Sequence, residues 1–508
     1  MDRALFRTAL RVVEGAMRLL ALALVLTALP ACGPASEPAD GSPPAAASFA
    51  VEPGVFRPTS TTATLHWSTS GRLEARVLCG ASRDELDSCA EVDSSGPTTV
   101  ELAGLEPDAE VWYRLQVRPP AGEWSDREPH RFRTARRPGQ DYRVALLADA
   151  HLQNCLRRPG SFENLDATIA AILADRPDFV IFLGDEPGVH HTRDTRGEMS
   201  QEAALARWRR WREVYARLLE TVPSFFVIGN HEGEAGFYRE HQRGGRTEYL
   251  QRWGTIARKR HFLNPLPTTY PEGGEDDGWV GEQDSPATGG AEEGNRSPLE
   301  NYFAWSWGDA LFVVLDVHRY TRVGLEEPDS PDQWTLGATQ LEWLEGTLRD
   351  SDARWKFVLA HHVVGGWEYD LTGQTKETDY AYGRGGARYA RVGEQSRITE
   401  LMQRYSAQVF FYGHDHVFAH QVAEGIHFVC GGRPTYLQPK WWDTPGWLEA
   451  YGSEGASDAP PYYGAVGFTR LTVSPDQIRI EYVSTARDPR GGENVPVTPG
   501  EVLYRFAL

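Results

Sequence analysis

Short runs of alternating apolar and polar residues fill the chain from residue 50 to residue 135, with turn-forming residues between them. In the run Val111–Val117 every second side chain is apolar, so one face of the segment would be buried and the other exposed. A period of two is typical of β-strands, and about seven short strands of this kind make a sandwich. The pattern therefore predicts an all-β domain over residues 50–135.

A different pattern begins near Tyr142, after the Pro- and Gly-containing linker 135–140. Continuous apolar runs alternate with amphipathic segments, as buried strands alternate with helices in α/β proteins. This pattern predicts an α/β domain over residues 140–508. The predicted strands are Val144–Ala148, Phe179–Leu183, Ser224–Ile228, Phe312–Asp316, Phe357–Leu359 and Val409–Tyr412, and the predicted helices are Asn164–Ala174, Glu202–Glu220 and Gln340–Arg349.

Side chains that bind metals follow five of these strands. In α/β sheets the C-terminal ends of the strands meet at one edge, where ligands bind. Carboxylate, amide and imidazole groups suit Zn, Mn or Fe, and two such ions held close together would activate a water for attack on phosphorus. The motifs are Asp149-Ala150-His151, Gly184-Asp185, Gly229-Asn230-His231-Glu232, Val358-Leu359-Ala360-His361 and Gly413-His414-Asp415-His416.

In order and content these motifs resemble the signature of the calcineurin-like metallophosphoesterase superfamily, D-x-H, G-D, G-N-H-D/E, V-x-x-H and G-H-x-H. The resemblance implies a β-sandwich flanked by helices, in four layers αββα. It also implies two divalent or trivalent metal ions, with Fe, Mn or Zn expected. The first ion would be held by Asp149, His151 and His416, the second by Asn230, His361 and His414, and Asp185 would bridge both.

The resemblance also implies a role for His231, and the positions of five other residues in the sequence suggest further roles. His231, which is not assigned to a metal, would donate to the leaving group or the transition state, and Glu232 would orient a histidine. His362 would line the pocket or, alternatively, point into the core. Arg384 would clamp a phosphate oxygen or, alternatively, lie on the surface as a solvated arginine. The candidates for the rim of the site are His190 and His191.

The all-β domain is similar to fibronectin type III modules, and specifically to the N-terminal domain of purple acid phosphatases, over the stretch Leu105–Leu115. Those phosphatases have Gly at the position of His151 and Tyr at the position of Gly188. His151 would replace the missing phenolate, so the first metal keeps its number of ligands but loses the hard anionic oxygen that favours ferric iron. We interpret the chain as a fusion of this module with a non-purple catalytic core.

Residues 1–31 combine four arginines with the apolar run Leu19–Leu29, which is the pattern of an export signal and is too short to span a bilayer. The run ends in Leu29-Pro30-Ala31-Cys32, which resembles a bacterial lipobox and implies cleavage before Cys32 and lipid attachment to it. The alternative is ordinary cleavage near Ala31. Residues 32–49 would form a flexible tether. We therefore expect an exported bacterial lipoprotein, anchored to a membrane in the periplasm or at the cell surface.

The net charge of the chain is −19, so we expect no binding to nucleic-acid backbones, although a small phosphate ester drawn in by metal ions remains suitable. Cys79 and Cys89 are close in sequence within one predicted domain, and an exported protein permits disulfides, so we expect a bond between them. Cys155 and Cys430 would either meet across the rim of the site or remain buried thiols.

Together these features predict an exported, acid-phosphatase-like phosphoesterase that hydrolyses small phosphate esters, monoesters in preference to diesters. One alternative is a phosphodiesterase or nucleotide hydrolase that uses the same site. Another is a catalytically inactive surface protein whose β domain binds a partner. All seven predicted ligands are present in the chain, which argues against an inactive protein.

Overall fold

The computed structural model describes residues 48–191, 200–235, 242–243, 246–247, 250–265, 300–318, 336–362, 394–414, 416–423, 425–436, 462–485 and 498–508. Ala47–Leu508 form one compact unit. The predicted export signal, most of the predicted tether, Cys32 and Arg384 lie outside the described residues. Among the described residues, no helix combines the length and apolar composition needed to cross a membrane.

The first part of this unit is a β-sandwich, as the alternating pattern predicts. Its strands are β1 Phe49–Phe56, β2 Thr62–Thr69, β3 Leu73–Gly80, β4 Asp87–Ser94, β5 Pro97–Ala103, β6 Glu110–Arg118, β7 Ser125–Asp126 and β8 His130–Arg133. One sheet has the order β1-β2-β5 and the other β4-β3-β6-β7, with β8 paired to β6. Val111, Tyr113 and Leu115 of β6 are buried in the core. The fold therefore uses the face that the alternation marks as apolar.

The remaining strands form two larger sheets and one separate pair. These strands are β9 Tyr142–Leu147, β10 Phe179–Phe182, β11 Ser224–Phe226, β12 Gln242–Arg243, β13 Arg246–Thr247, β14 Phe303–Trp307, β15 Ala310–Val314, β16 Trp355–Leu359, β17 Val409–Tyr412, β18 Phe418–Ala423, β19 Ile426–Gly431, β20 Tyr462–Tyr463, β21 Gly467–Val473, β22 Ile478–Ser484 and β23 Val502–Ala507. One sheet has the order β11-β10-β9-β21-β22-β23 and the other β14-β15-β16-β17-β19-β18-β20, while β12 and β13 pair with each other.

Helices cover the outer faces of both sheets. The described helices are α1 Leu152–Cys155, α2 Ser161–Asp175, α3 Gln201–Leu219, α4 Leu250–His261, α5 Ala338–Arg349 and α6 Glu394–Arg404. Aromatic and aliphatic side chains of both sheets form one core between them, while α2 and α3 pack on one outer face and α5 and α6 on the other. This arrangement confirms the predicted four layers αββα.

Helix α3 shows how the sequence produces this packing. Its N-cap is Ser200, whose side chain accepts a hydrogen bond from the backbone N–H of Ala203 at 3.2 Å. Trp208, Trp211 and Tyr215 recur at the spacing of one helical face and are fully buried. Within the core their rings contact Phe182 of β10 and Phe226 of β11. An amphipathic pattern therefore becomes a helix fixed against the strands that lead to the functional site.

A buried arginine joins the sandwich to the α/β part. Arg212 of α3 donates to the backbone oxygens of His261 at 2.7 Å, Glu52 at 2.6 Å and His66 at 3.1 Å. From the sandwich, the hydroxyl of Tyr113 donates to the backbone oxygen of Glu220 at 2.7 Å. Buried polar groups that are satisfied in this way fix one orientation. The two parts lie within one compact unit, so the structure marks no boundary between them, and the predicted domain boundaries remain predictions.

The cysteines divide into one bonded pair and two buried thiols. Cys79 and Cys89 are joined by a disulfide within the sandwich, as expected from their spacing. Cys155 and Cys430 are buried and form no disulfide with each other. Of the two alternatives left open by the sequence, the structure therefore contains the buried thiols.

Candidate metal centre

Parallel strands of both sheets lead to the same place. Strands β9, β10 and β11 run parallel in one sheet, and β15, β16, β17 and β19 run parallel in the other. A predicted metal-binding motif follows β9, β10, β11, β16 and β17, so the loops of the two sheets meet at one edge of the sandwich. At this edge a Cβ on Gly184 would lie 2.7 Å from the backbone nitrogen of Gly229 and 2.8 Å from Nδ1 of His361. Glycine is required here for the loops to approach each other.

The backbone of these loops is strained at the predicted ligands. Left-handed conformations are uncommon for residues other than glycine and cost about 1–2 kcal/mol each. Such strain is typical of functional sites, where the surrounding structure enforces it. The ligands in this conformation are Asp149 (φ 58°), His151 (φ 45°), Asp185 (φ 60°), His414 (φ 73°) and His416 (φ 64°).

Four side chains form the first cluster of potential ligands, namely Asp149, His151, Asp185 and His416, and their donor atoms all lie within 4.8 Å of one another. Nε2 of His416 lies 3.5 Å from Oδ1 of Asp149, and Nε2 of His151 lies 3.6 Å from the same oxygen. Oδ2 of Asp185 lies 3.6 Å from Nε2 of His151. These are the residues that the family resemblance assigns to the first metal and to the bridge.

A second cluster contains His361, His362 and His414. The rings of His362 and His414 are stacked, with centroids 4.3 Å apart and an interplanar angle of 28°. His362 is buried beside the expected ligands, so it faces the site and not a separate core. Asn230, the other residue expected at the second metal, is also buried, and its Oδ1 makes no hydrogen bond to any described residue.

The donor atoms are arranged as a metal site requires. Oδ2 of Asp149 accepts the backbone N–H of His414 at 2.8 Å, and Oδ1 of Asp185 accepts that of His231 at 2.7 Å. Nδ1 of His361 donates to the carbonyl of Leu183 at 2.6 Å, which leaves the lone pair of Nε2 directed into the site. Oδ1 of Asp149 makes no hydrogen bond within the described part of the chain, and Oδ2 of Asp185 and Nε2 of His361 have only each other within reach, at 3.1 Å. Buried polar atoms left in this state fit metal ligands.

Asp185 is suited to a bridging position. Its Oδ2 lies 3.1 Å from Nε2 of His361 in the second cluster and 3.6 Å from Nε2 of His151 in the first. One carboxylate oxygen therefore faces both sets of expected ligands.

The electrostatics of the site favour a cation. Burial lowers the pKa of His361, but the charges of Asp185 and Asp149 outweigh burial and raise that pKa to about 10. Burial, together with the charge of Asp185, raises the pKa of Asp149 to about 7. Two buried carboxylates repel each other unless positive charge lies between them. A metal ion would provide that charge in place of a proton.

The sequence predicts that Glu232 orients a histidine, but in the structure its carboxylate accepts hydrogen bonds from backbone N–H groups instead. Its Oε2 accepts the backbone N–H groups of Asp185 at 3.0 Å and Gly229 at 2.6 Å, and its Oε1 accepts that of Glu186 at 2.8 Å. The side chain therefore joins the loops after β10 and β11, and it positions Asp185 through the backbone.

His231 lies at the edge of the first cluster. Its Nε2 is 3.6 Å from Oδ2 of Asp185, and its ring contacts that of His151 edge-on, with centroids 4.5 Å apart. The ring of His190 lies 3.9 Å from that of His231, which agrees with a position at the rim. The side chain of His191 is outside the described residues.

Gln153 is a site residue that the sequence analysis missed. Its Nε2 lies 3.0 Å from Nδ1 of His151 and 3.4 Å from Nδ1 of His231. It also fills the space above Gly188, where a Cβ would overlap the amide oxygen of Gln153. No local pattern distinguishes Gln153 from other polar residues near His151, since its role depends on contacts made by the folded chain.

Comparison with known proteins agrees with this description. The structure resembles one described as the structure of PhoD, with 15% identity, a TM-score of 0.61 and coverage of 89% of both chains. It also resembles purple acid phosphatase PPD1 from yellow lupin (Lupinus luteus), with 17% identity, a TM-score of 0.55 and coverage of 90% of this chain and 73% of the other. At these identities the likeness shows the fold alone.

Comparison with curated protein sequences gave no match. A family model described as calcineurin-like phosphoesterase, however, matches residues 142–418, which include every expected metal ligand. The matched region is more than half of the 508 residues. This chain therefore belongs to the calcineurin-like phosphoesterases, as its motifs predict.

Proposed function

We propose that this protein is an exported phosphoesterase that uses two metal ions to hydrolyse small phosphate monoesters. The observation that carries the proposal is the convergence of buried oxygen and nitrogen atoms from both sheets on one point, where several make no hydrogen bond to a described residue. Asp149, His151 and His416 would hold one ion, Asn230, His361 and His414 the other, and Asp185 both. Bound metal ions would supply Lewis acidity and lower the pKa of an attacking water.

The residues of this chain would position the substrate and donate one proton to the leaving group. Nε2 of His231 faces the centre, where it would donate a proton to the oxygen of the leaving group. A half-turn of a glutamine amide exchanges the positions of its oxygen and its nitrogen. With its oxygen turned toward both imidazoles, Gln153 would accept Nδ1–H from His151 and from His231. Both Nε2 atoms would then face the centre, one toward a metal and the other toward the leaving group.

Charge supports a preference for monoesters. The phosphoryl group of a monoester carries up to two negative charges, whereas a diester carries one. A centre with two cations attracts the more highly charged group more strongly, and burial of the site strengthens that difference. Because phosphodiesters share the same chemistry, a direct comparison of the two substrate classes is the appropriate test.

The test of function combines metal analysis with substrate comparison. Protein purified without chelators should contain metal and should hydrolyse p-nitrophenyl phosphate faster than bis-p-nitrophenyl phosphate. Asp185→Asn should lose activity by orders of magnitude, because it removes the shared ligand. The matched control is Asp175→Asn, which breaks partly buried ion pairs with Arg143 and Arg470 away from the centre.

Each result has a separate meaning. A metal-loaded protein that hydrolyses neither ester would contradict the proposed function, and faster diester hydrolysis would contradict the preference for monoesters. Full activity and full metal content in Asp185→Asn would contradict the bridge.

Export and membrane attachment through Cys32 form the second part of the proposal. The N-terminal segment supports it, and so does the Cys79–Cys89 disulfide, since such bonds persist in oxidising compartments. The wild-type protein should sediment with membranes, whereas Cys32→Ser should be processed differently and lose that attachment. Equal release of both forms into the soluble fraction would contradict the lipid anchor.

A further inference from the structure

A second unusual group lies near the candidate metal centre, where the charge of Arg433 acts on Asp149 and His151 of the first cluster. The side chain of Arg433 is buried, with only 2% of the residue exposed. None of its three guanidinium nitrogens makes a hydrogen bond to any residue that the structure describes. A buried charge without partners is strongly unfavourable, and buried arginines are normally paired with carboxylates. The position of Arg433 therefore requires an explanation.

The loop that carries Arg433 is held firmly. The backbone oxygen of Arg433 accepts the N–H of Gly467 at 3.0 Å. Two residues further on, the hydroxyl of Thr435 donates to the carbonyl of Ala150 at 3.0 Å, and the amide of Asn164 donates to the carbonyl of Thr435 at 3.0 Å. Ala150 stands between the expected ligands Asp149 and His151. The loop is thus fixed against the first metal motif.

Tyr436 brings a second cation to the same place. The guanidinium carbon of Arg433 lies 4.3 Å from the centre of the Tyr436 ring, and that of Arg158 lies 4.1 Å from it. The hydroxyl of Tyr436 accepts a hydrogen bond from Asn154 at 3.3 Å. Stacking on a ring stabilises the face of a guanidinium but leaves its in-plane N–H groups without acceptors. Those N–H groups remain available for an oxyanion.

The carboxylate of Asp149 does not serve as the acceptor for the guanidinium of Arg433. Oδ2 of Asp149 accepts the backbone N–H of His414, and its Oδ1 faces His151 and His416. Neither oxygen forms a hydrogen bond with Arg433 in the described part of the chain. No described residue supplies an acceptor for the guanidinium, and a planar fork of N–H groups matches two oxygens of a phosphoryl group that enters the site.

We propose that Arg433, supported by Tyr436 and Arg158, forms an oxyanion subsite that binds non-bridging oxygens of the substrate phosphoryl group and of the phosphate product. The subsite deepens the proposed function and rests on it. It gives Arg433 the role that the sequence analysis offered to Arg384, which lies outside the described residues.

The test compares Arg433→Gln and Arg433→Lys with the wild-type protein, all in the mature, metal-loaded form. Inorganic phosphate is the probe, and its binding is measured by calorimetry without turnover. Arg433→Gln should weaken phosphate binding about 10- to 100-fold, as loss of a charged hydrogen-bonded pair implies. Arg433→Lys should recover part of the affinity, because it restores the charge without the fork. Metal content and melting temperature are measured for each variant.

The control variant is Arg118→Gln. The guanidinium of Arg118 also stacks on an aromatic ring, 4.5 Å from the centre of Trp124, but it lies in the N-terminal sandwich. This variant should bind phosphate as the wild-type protein does.

Unchanged phosphate affinity in Arg433→Gln, at normal metal content, would overturn the subsite. If that variant loses metal or does not fold, Arg433→Lys decides the question, since wild-type affinity together with an unchanged KM for p-nitrophenyl phosphate would overturn the fork. Phosphate binding that depends on Arg433 in a protein without phosphoesterase activity would contradict only the proposed function. Activity with no dependence on Arg433 would contradict only the subsite.

Discussion

The side chain of Gln153 occupies the space that any side chain at Gly188 would need. Gly188 has a positive φ of 68°, so its backbone conformation also favours glycine. Purple acid phosphatases, whose N-terminal domain the sandwich resembles, carry a tyrosine at this position. In this chain the glycine admits an amide that contacts both His151 and His231. Gly188 therefore stands in place of a potential metal ligand, and Gln153 fills the space and contacts two histidines.

Gly188→Ala should lower kcat strongly and lower the free energy of unfolding only modestly. The new methyl group would displace Gln153, and the orientation of His151 and His231 would be lost. Gly139→Ala is the matched control, because Gly139 also has a positive φ, 85°, but a Cβ there meets nothing within 4 Å. Both variants should lose about 1–2 kcal/mol in unfolding free energy from backbone strain. Only Gly188→Ala should lower kcat, measured with p-nitrophenyl phosphate, and equal kcat values for both variants would contradict the role of Gln153.

The purified protein should not be purple, even when loaded with iron. The violet colour of purple acid phosphatases requires a tyrosinate bound to ferric iron, and position 188 holds glycine with Gln153 above it. An imidazole such as that of His151 does not supply this charge-transfer transition. The visible spectrum of the oxidised, iron-loaded protein checks the prediction. An intense violet band in an active preparation would mean that another tyrosine reaches the first metal.

His231→Ala should slow substrates with poor leaving groups most. A proton donor matters little for nitrophenolate, which leaves readily, and much for an alkoxide. Loss of one positioned acid typically costs about 10²- to 10⁴-fold in rate. We expect a loss of this size for alkyl phosphates and a smaller one for p-nitrophenyl phosphate. His130→Ala, in the N-terminal sandwich, serves as the control.

A uniform loss on both substrates, together with reduced metal content, would identify His231 as a ligand or as a structural residue. The ratio of the two rates therefore separates proton donation from metal binding.

The stability of the protein should fall with rising pH because of Glu186. Burial raises the pKa of this carboxyl to about 8 from its ordinary value of 4.5, although Tyr215 and Trp211 donate hydrogen bonds to it. A carboxyl with a raised pKa holds a proton in the folded state that the unfolded state releases. Between about pH 5 and pH 8, unfolding free energy should therefore fall by up to about 1.4 kcal/mol per pH unit from this group.

Urea unfolding at several pH values checks this prediction. Glu186→Gln should make the dependence less steep, because the amide keeps an acceptor for Tyr215 and does not ionise. Part of the slope should remain, since burial also raises the pKa of Asp149 and of Glu232. Glu213→Gln, which changes an exposed carboxylate paired with Arg210, should leave the slope as in the wild-type protein. The same slope in Glu186→Gln as in the wild-type protein would exclude Glu186 as the cause.

The sequence by itself determined the fold and the family of this protein. Apolar runs such as Val144–Ala148 report burial directly, because a parallel strand covered on both faces has no polar side. The motif that follows each run marks the end of a strand, where binding residues gather. Alternation in the run Val111–Val117 likewise predicted the sandwich, and the spacing of Cys79 and Cys89 predicted their bond. These features depend on neighbours in sequence, so a linear pattern records them.

Only the tertiary structure decided which polar residues act together. Gln153 meets His231 across 78 positions of sequence, and Glu232 joins the backbone of Asp185 from 47 positions away. The charge of Arg433 acts on Asp149 and His151, which belong to a motif far earlier in the chain. The contacts of such residues depend on how two sheets and their loops pack, and their side chains carry no local signal of that packing. Glu232 is an example: its motif predicts contact with a histidine, whereas its carboxylate binds backbone N–H groups. Period and spacing encode strands and helices, but the burial of an unpaired guanidinium exists only in three dimensions.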